Sequence, residues 1–210
     1  MDKEVNIVVD SLSLPGTLTL PEKAGGIVLF AHGSGSSRFS SRNRFVAGVL
    51  QKAAIGTLLF DLLTQEEDQV YENRFNIDLI TERLVKATDW LAGQDEARGL
   101  AFGYFGASTG AAAALKAAAR LGSRTKAVVS RGGRPDLAME VLSQVEAPTL
   151  LIVGALDEVV LGFNRQAYEK LKATKNLEII PGATHLFEEP GTLELAAQAA
   201  AAWFKKHLSS

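Results

Sequence analysis

Residues 100–110 read LAFGYFGASTG, an apolar run that leads directly into a glycine-rich turn. A short apolar run bounded by glycine is typical of a β-strand that is buried on both faces. The residues that follow, Thr109–Leu121, are rich in alanine and have helical spacing. The sequence therefore predicts a buried strand, a sharp turn at Ser108 and then a helix.

The same alternation of strand and helix continues in both directions along the chain. Apolar runs predict strands at Gly26–Ala31, Ile55–Asp61, Leu100–Phe105, Ala127–Arg131, Thr149–Val153 and Leu177–Ile180. Helical spacing predicts further helices at Arg44–Ala54, Asp78–Gly93, Leu137–Val145, Asn164–Leu171 and Leu193–Leu208. Repeated βαβ order predicts an α/β fold with a mostly parallel, doubly wound sheet, whose ligand sites lie at the carboxyl ends of the strands.

The remaining segments predict the edges of this architecture. Two short alternating stretches, Val5–Val9 and Gly16–Leu20, are joined through residues 14–16 (LPG) and predict an antiparallel hairpin at the sheet edge. The polar segment Thr64–Asn76 is interpreted as a solvated loop. No long insertion separates the late strands, so we expect one domain spanning residues 1–210 with no large lid.

The composition excludes several functional classes. The chain of 210 residues contains no cysteine, which removes thiolate catalysis, iron–sulfur clusters and cysteine zinc sites. The formal net charge of −2 gives no electrostatic reason to expect nucleic acid or an anionic membrane as partner. The first twenty residues lack the apolar core of a signal peptide. We therefore predict a cytoplasmic protein, a monomer or a homodimer, with no metal and no cofactor.

The turn at Ser108 has the Gly-x-Ser-x-Gly pattern of a nucleophile presented at a strand-to-helix elbow. Gly106 and Gly110 are the small residues that such a tight turn needs. The amide of Thr109 would lie at the helix N-terminus, where it can stabilise a developing oxyanion. A phosphate-binding loop is the competing interpretation, but no lysine follows Gly110, and the glycine spacing matches neither the Walker pattern nor the dinucleotide fingerprint.

A serine hydroxyl needs a general base, and the chain contains three histidines. His207 lies near the end of the last predicted helix and is interpreted as a solvated residue. His32 belongs to a His-Gly-Ser-Gly turn that is better suited to shaping an oxyanion pocket. His185 follows the last predicted strand, in a loop that can reach across a parallel sheet to the serine, and we predict it as the base.

The base requires a carboxylate that fixes its tautomer and stabilises the imidazolium. Asp157 follows the predicted strand Thr149–Val153 and gives the chain order Ser, Asp, His that is expected of this arrangement. Glu158, the next residue, and Asp136, after the preceding strand, are the alternatives. We predict Asp157 as the acid.

The turn after Gly26–Ala31 is the expected source of a second oxyanion donor. It reads His-Gly-Ser-Gly from His32 onward, and the amide of Ser34 is the predicted donor. Four separate segments of the chain therefore converge on one edge of the predicted sheet.

These motifs resemble the dienelactone-hydrolase-like branch of the α/β-hydrolase superfamily over nearly the whole chain. The residues that carry the resemblance are HGSG at 32–35, GASTG at 106–110, VGALD at 153–157 and GATH at 182–185. The resemblance implies the α/β-hydrolase fold and a serine triad. Dienelactone hydrolase itself uses a cysteine nucleophile, whereas this chain has Ser108 at the matching position. The segment 130–136 is more similar to other hydrolase domains of this branch than to dienelactone hydrolase itself. Some of those domains are fused to phosphoribosyltransferase domains.

Arginines near the predicted site suggest a substrate class. Arg38, Arg42 and Arg44 follow the oxyanion turn, and Arg131 and Arg134 come after the serine helix at the end of the next strand, so both groups could border the mouth of the site. A carboxylate- or phosphate-bearing ester would suit them, and we predict Arg38 and Arg131 as substrate-binding residues. The alternative is that the arginines near the site form surface ion pairs, for example with Asp61 or Asp136.

The leading functional hypothesis is hydrolysis of small esters or lactones through an acyl-enzyme intermediate, with Ser108, His185 and Asp157 as the triad. Two alternatives stay open. The fold could serve as a non-catalytic binding or scaffold module. The same triad could also transfer the acyl group to an acceptor other than water, and only product analysis separates that reaction from hydrolysis.

Overall fold

A computed structural model describes residues 2–208 and contains an eight-stranded sheet. The strands are β1 (Asp2–Val9), β2 (Leu12–Thr19), β3 (Gly26–Ala31), β4 (Gly56–Phe60), β5 (Ala101–Ala107), β6 (Thr125–Arg131), β7 (Thr149–Gly154) and β8 (Lys175–Ile180). The α-helices are α1 (Ser41–Lys52), α2 (Gln65–Gln69), α3 (Ile77–Ala92), α4 (Thr109–Leu121), α5 (Glu158–Lys170) and α6 (Thr192–Leu208).

The strand order is β1-β2-β4-β3-β5-β6-β7-β8. All pairs from β4 to β8 across the sheet are parallel, whereas β1 with β2 and β2 with β4 are antiparallel. Two strand pairings, β3 with β4 and β3 with β5, place β3 in the middle of the sheet. The predicted architecture, a mostly parallel sheet with an antiparallel N-terminal edge, is confirmed.

Helices cover both faces of the sheet, as a doubly wound fold requires. On one face, α3 and α4 pack against the sheet with buried side chains such as Leu84 and Leu115. On the other face, α1 and α6 contribute Leu50 and Phe204 to a second buried cluster. The central strands are apolar on both faces because each face has its own helix layer. None of the helices between residues 2 and 208 is both long and apolar enough to cross a membrane.

The N-terminal hairpin turns earlier than predicted. The sequence indicated a turn at residues 14–16, but β2 runs straight through them and the turn is formed by Asp10 and Ser11. Asp10 adopts a φ of 53°, a conformation that aspartate tolerates in turns. Pro15 is accommodated because pairing of β2 with β4 begins only at Gly16, while the Pro15 carbonyl accepts a hydrogen bond from the Asp61 amide at 3.1 Å.

The predicted helix Leu137–Val145 is wrong. The chain forms two short 3₁₀-helices there, Pro135–Ala138 and Leu142–Gln144. The apolar residues of this segment have helical spacing and are buried, but the segment forms only a short connection between β6 and β7. As predicted, no long insertion separates the late strands within the described part of the chain.

The segment Thr64–Asn76 is more ordered than the predicted loop. It contains α2 and a 3₁₀-helix, Tyr71–Phe75. Thr64 and Glu67 form a reciprocal capping box at the start of α2, with hydrogen bonds of 3.2 and 2.9 Å. The Thr-x-x-Glu spacing was the signal in the sequence that could have identified this helix. Consistent with the predicted exposure, no residue of α2 is buried.

Candidate active site

Ser108 occupies a strained turn between β5 and α4. Its backbone has φ 52° and ψ −123°, a region that residues with a side chain rarely adopt. The Ser108 amide donates to the Arg131 carbonyl of β6 at 3.2 Å, and its carbonyl accepts from the amides of Ala111 and Arg134 at 3.1 and 3.0 Å. Such strain persists only where the surroundings hold it, and it concentrates at functional sites.

Two glycines make this turn possible. A Cβ atom built on Gly106 would lie 2.4 Å from the Ala111 Cα atom, and one built on Gly110 would lie 2.1 Å from the Ala31 carbonyl oxygen. The first close approach is between strand and helix, and the second is between α4 and β3. The absent side chains therefore let α4 start directly against the sheet and hold Ser108 at its edge.

Replacing Gly110 with alanine is expected to destabilise the fold by at least about 3 kcal/mol, the upper end of the usual cost of overpacking. The added methyl group would meet the backbone of Ala31 and the His32 carbonyl oxygen, neither of which is the end of a flexible side chain. Chemical denaturation followed by circular dichroism measures the change in the free energy of unfolding.

Gly48 supplies the matched control for this substitution. It lies within α1, and a Cβ atom added there would meet nothing within 4 Å. The Gly48→Ala variant is expected to gain about 0.5–1 kcal/mol, because alanine is the better helix former. A Gly110→Ala variant as stable as wild type would show that α4 does not need its close contact with β3.

His185 and Asp157 meet after the last two strands of the sheet. The His185 Nδ1 atom lies 2.6 Å from the Asp157 Oδ2 atom. Asp157 precedes α5, just beyond the end of β7, and its side chain is only 14% exposed. His185 lies in the loop after β8. With the carboxylate accepting the Nδ1 proton, the Nε2 atom of the imidazole is free to accept a proton from elsewhere.

Ser108 and His185 line the same cavity, which has a volume of about 230 Å³. In the described residues the Ser108 hydroxyl has no hydrogen-bond partner, so it forms no direct bond to His185. Gly132, with φ 53°, lies close to the backbone of His185: a Cβ atom there would lie 3.2 Å from the His185 carbonyl oxygen. His185 therefore lies near the end of β6, the strand next to the serine strand.

The alternative acids, Asp136 and Glu158, do not contact His185. Asp136 forms a two-pronged ion pair with Arg134, with distances of 2.9 and 2.7 Å. Glu158 is exposed at the start of α5. Of the three carboxylates that the sequence offered, only Asp157 contacts the imidazole of His185.

His32 is fixed in a structural role. Its Nε2 atom accepts a hydrogen bond from the Leu62 amide at 3.2 Å, so in the neutral ring the proton is on Nδ1, which donates to the Gly33 carbonyl at 3.0 Å. Burial lowers the pKa of His32, so the ring stays neutral. Both nitrogens are used, which leaves His32 unable to act as a base for Ser108.

His207 is less exposed than predicted. It packs against the Trp203 ring on α6, with the ring centroids 4.6 Å apart, and is therefore partly buried rather than fully solvated.

The predicted oxyanion donors have different surroundings. The Thr109 amide is the first of α4, so the helix offers it no partner and it is available to a ligand. The Ser34 amide instead donates to the Thr109 side-chain hydroxyl at 2.9 Å. Ser34 lines the cavity, but its amide is already hydrogen-bonded to the Thr109 hydroxyl. Gly33 lies directly against the nucleophile, since a Cβ atom there would be 3.1 Å from the Ser108 Cβ atom.

Arg38, predicted to bind substrate, has two acidic partners and does not line the Ser108 cavity. Arg38 forms ion pairs with Glu4 at 2.6 Å and Asp61 at 3.4 Å, and its backbone amide also donates to Asp61. It lines a different cavity, beside Thr17 and Phe39, and does not reach the one that holds Ser108. Two carboxylates neutralise this guanidinium, which is the surface-pairing alternative that the sequence left open.

Arg131 lies at the site, where it contacts Asn43, a residue that the sequence prediction missed. It lines the Ser108 cavity, and its Nη2 atom donates to the Asn43 side-chain oxygen at 3.2 Å. Arg42 lines the same cavity from α1. Asn43 is a buried polar residue of α1, and its helical spacing to the apolar residues Val46, Ala47 and Leu50 was the signal in the sequence that could have identified it. Across residues 2–208, no three His, Asp or Glu side chains are grouped to hold a metal ion.

Comparison with known proteins places the chain among hydrolases. The sequence profile of the dienelactone hydrolase family matches residues 45–209. A crystal structure of a dienelactone hydrolase from Anabaena variabilis is 54% identical, with a TM-score of 0.96 over 99% of this chain and 98% of that one. The esterase Est1E from Butyrivibrio proteoclasticus shares the fold at 16% identity, with a TM-score of 0.81 over 99% of both chains.

Curated relatives from two strains of Mycobacterium tuberculosis are 56% identical over 99% of this chain. Both are provisionally named as phosphoribosyl transferases. This chain spans about half, 47%, of their length. The similarity therefore covers one part of a longer protein in those relatives.

Proposed function

The chain belongs to the dienelactone hydrolase family, and on that basis and on the site geometry we propose that it is a serine hydrolase of small carboxylic esters or lactones. In this proposal Ser108 is the nucleophile, His185 the general base and Asp157 the acid that orients the base. The reaction passes through an acyl-enzyme intermediate.

One observation carries the proposal. The Asp157 carboxylate holds the His185 imidazole through its Nδ1 atom at 2.6 Å, at the edge of the cavity into which the elbow presents Ser108. This hydrogen bond selects the tautomer with a free Nε2 atom, and Asp157 stabilises the imidazolium that forms when Nε2 takes a proton. A histidine without a catalytic role would not be expected to combine a hydrogen bond to a partly buried carboxylate with a strained serine in the same cavity.

In the acylation step, the Ser108 Oγ atom attacks the ester carbonyl carbon while the His185 Nε2 atom takes the hydroxyl proton. The carbonyl oxygen becomes an oxyanion, which the Thr109 amide stabilises at the N-terminus of α4. The Ser34 amide can add a second hydrogen bond by leaving the Thr109 hydroxyl. Collapse of this intermediate breaks the bond to the alcohol, which receives the proton from His185.

In the deacylation step, a water molecule attacks the acyl group on Ser108. The His185 Nε2 atom removes one proton from this water and returns it to the Ser108 oxygen as the carboxylic acid is released. Each proton therefore moves through one atom of His185, and the enzyme returns to its starting state.

The cavity sets the size of the substrate. Its volume of about 230 Å³ is smaller than the usual range for drug-sized ligands, and no long insertion covers it in residues 2–208. Short acyl groups are therefore the proposed substrates, with small soluble esters favoured over long-chain lipids.

The test uses the wild-type protein. It is expected to hydrolyse p-nitrophenyl acetate and butyrate, releasing free acid and p-nitrophenol in equal amounts, and to react with a fluorophosphonate probe in the absence of substrate. Peptide mass spectrometry should find the probe on Ser108. Heat-denatured protein is the control, because it should not be labelled. A folded protein that is neither labelled nor active on any short ester would overturn the proposal.

A further inference from the structure

Arg131 is a buried cation without a matching anion. Arg131 is the last residue of β6 and pairs with Ala107 of β5, the residue that precedes Ser108. It is only 6% exposed. Among the described residues no carboxylate pairs with it. Within residues 2–208 the only hydrogen bond of its guanidinium is the one to Asn43, and its Nε atom is buried without a partner. Burying an unpaired charge is costly, and a bound anion would offset that cost.

The Arg131 guanidinium remains charged at neutral pH. Burial, together with the charge of Arg42, lowers the pKa of Arg131 to about 10, which is still well above neutral pH. The Phe187 ring lies 5.6 Å from the guanidinium carbon and covers one side of it. The guanidinium is therefore a fixed positive charge in the wall of the cavity.

The N-terminus of α1 faces the same cavity and adds to the positive potential. Ser40 caps this helix of twelve residues, and its first turn contains Arg42 and no acidic residue. Both side chains line the cavity. Arg42 has one ion-pair partner, Glu188, at 3.4 Å, and both side chains are substantially exposed, so this pair is weak. None of the residues that line the cavity is acidic.

We propose that this cavity binds a phosphate group carried by the ester substrate, held by Arg131 and Arg42 from two walls and by the N-terminus of α1. The inference rests on the proposed function, because it specifies the substrate of the same site. The serine hydrolase would act on small phosphorylated esters, with the phosphate fixed beside the carbonyl group that Ser108 attacks.

The number of hydrogen-bond donors favours phosphate over carboxylate. A phosphate group presents three terminal oxygens and nearly two negative charges at neutral pH. Two guanidinium groups match that charge, and a phosphate at a helix N-terminus adds contacts to backbone amides. The Ser40 hydroxyl accepts from the Asn43 amide, so its own proton remains available for an oxygen of the ligand. A carboxylate would leave part of this set unused.

The first experiment compares three acetate esters of similar size: 2-acetoxyethyl phosphate, 3-acetoxypropanoate and uncharged 2-methoxyethyl acetate. The expected kcat/KM for the phosphate ester is about tenfold or more above that for the uncharged ester, as for one lost charge-assisted contact. This preference ratio should fall towards one in Arg131→Met and fall in part in Arg42→Ala, which alters a partly exposed residue. Arg44→Ala is the matched control, because Arg44 lies on the same helix but lines another cavity.

The second experiment measures binding without turnover. Titration of the protein with inorganic phosphate at constant ionic strength, followed by NMR of the backbone amides, should shift the signals of residues 40–43 in wild type and Arg44→Ala. The shifts should weaken at least about tenfold in apparent affinity in Arg131→Met.

The outcomes separate the two proposals. If neutral esters are hydrolysed but phosphate neither binds nor improves turnover, the phosphate site is overturned and the serine hydrolase stands. A preference for the carboxylate ester over the phosphate ester would likewise overturn the phosphate assignment. Arg131-dependent binding of phosphate to a protein that hydrolyses none of the esters would support the phosphate site and count against the hydrolase.

Discussion

Replacement of Ser108 with alanine is expected to lower kcat on short esters by about 10⁶-fold, the cost of losing the nucleophile in enzymes of this mechanism. Without the Oγ atom no acyl-enzyme forms, and what remains is the small contribution of binding and oxyanion stabilisation. Release of p-nitrophenol measures the loss after subtraction of the uncatalysed rate. Labelling by the fluorophosphonate probe should disappear in the same variant.

The design of this variant separates chemistry from folding. Alanine can occupy the strained conformation at residue 108 no less readily than serine, and the Ser108 hydroxyl has no hydrogen-bond partner in the described residues. The free energy of unfolding should therefore stay close to that of wild type. Ser123→Ala, at an exposed position beyond the far end of α4, is the matched control and should keep both activity and labelling. Retention of full activity by Ser108→Ala would remove the serine from the mechanism.

The elbow could be predicted because its causes lie close together in the sequence. The strand, the serine and both glycines fall within residues 100–110, and the close contact of Gly106 with Ala111 lies within the turn itself, although Gly110 contacts Ala31 of β3. The fold was predictable for a related reason: alternation of apolar runs and helical segments limits the chain to a few topologies. Local information was sufficient in both cases.

The pairing of His185 with Asp157 needed one further step. The two residues are far apart along the chain, but in a parallel sheet the loops after neighbouring strands lie at the same edge. Because β7 and β8 are adjacent, a residue after one can contact a residue after the other. Chain order and topology were therefore enough to bring the side chains to one edge, although not to give the distance between them.

The side chains around the site could not be assigned in the same way. Arg38 and Arg131 were equivalent in the sequence, yet Arg38 is neutralised by Glu4 and Asp61 whereas Arg131 has no acidic partner. The partners come from β1 and from the end of β4, whose positions relative to Arg38 depend on the complete fold. Ion pairing of long side chains is decided by tertiary packing, and spacing along the chain carries little information about it.

The predicted position of the hairpin turn was wrong because packing between strands outweighed the local turn preference of residues 14–16. Proline followed by glycine usually marks a turn, and residues 14–16 satisfy that rule. In the folded protein Gly16 instead permits close packing, because a Cβ atom there would lie 3.0 Å from the Phe60 Cβ atom. The glycine serves the contact between β2 and β4, and the turn is left to Asp10 and Ser11.

Replacing Asp157 with asparagine is expected to lower kcat by about 10⁴-fold, the loss found when the orienting carboxylate of such a triad becomes an amide. The asparagine side chain can donate to the Nδ1 atom of His185 and thereby favour the tautomer that carries its proton on Nε2. That tautomer cannot accept the Ser108 proton, and the imidazolium loses its stabilising charge. Steady-state kinetics on p-nitrophenyl acetate measures the change, and labelling by the fluorophosphonate probe should slow in parallel.

Asp136→Asn and Glu158→Gln are the matched controls, since they make the same change at the two other carboxylates that the sequence allowed. Asp136 pairs with Arg134 and Glu158 is exposed, so neither change should disturb the imidazole and both variants should keep kcat near wild type. If instead Asp136→Asn loses more activity than Asp157→Asn, the acid of the triad lies after β6, and the 2.6 Å contact between Asp157 and His185 is structural rather than catalytic.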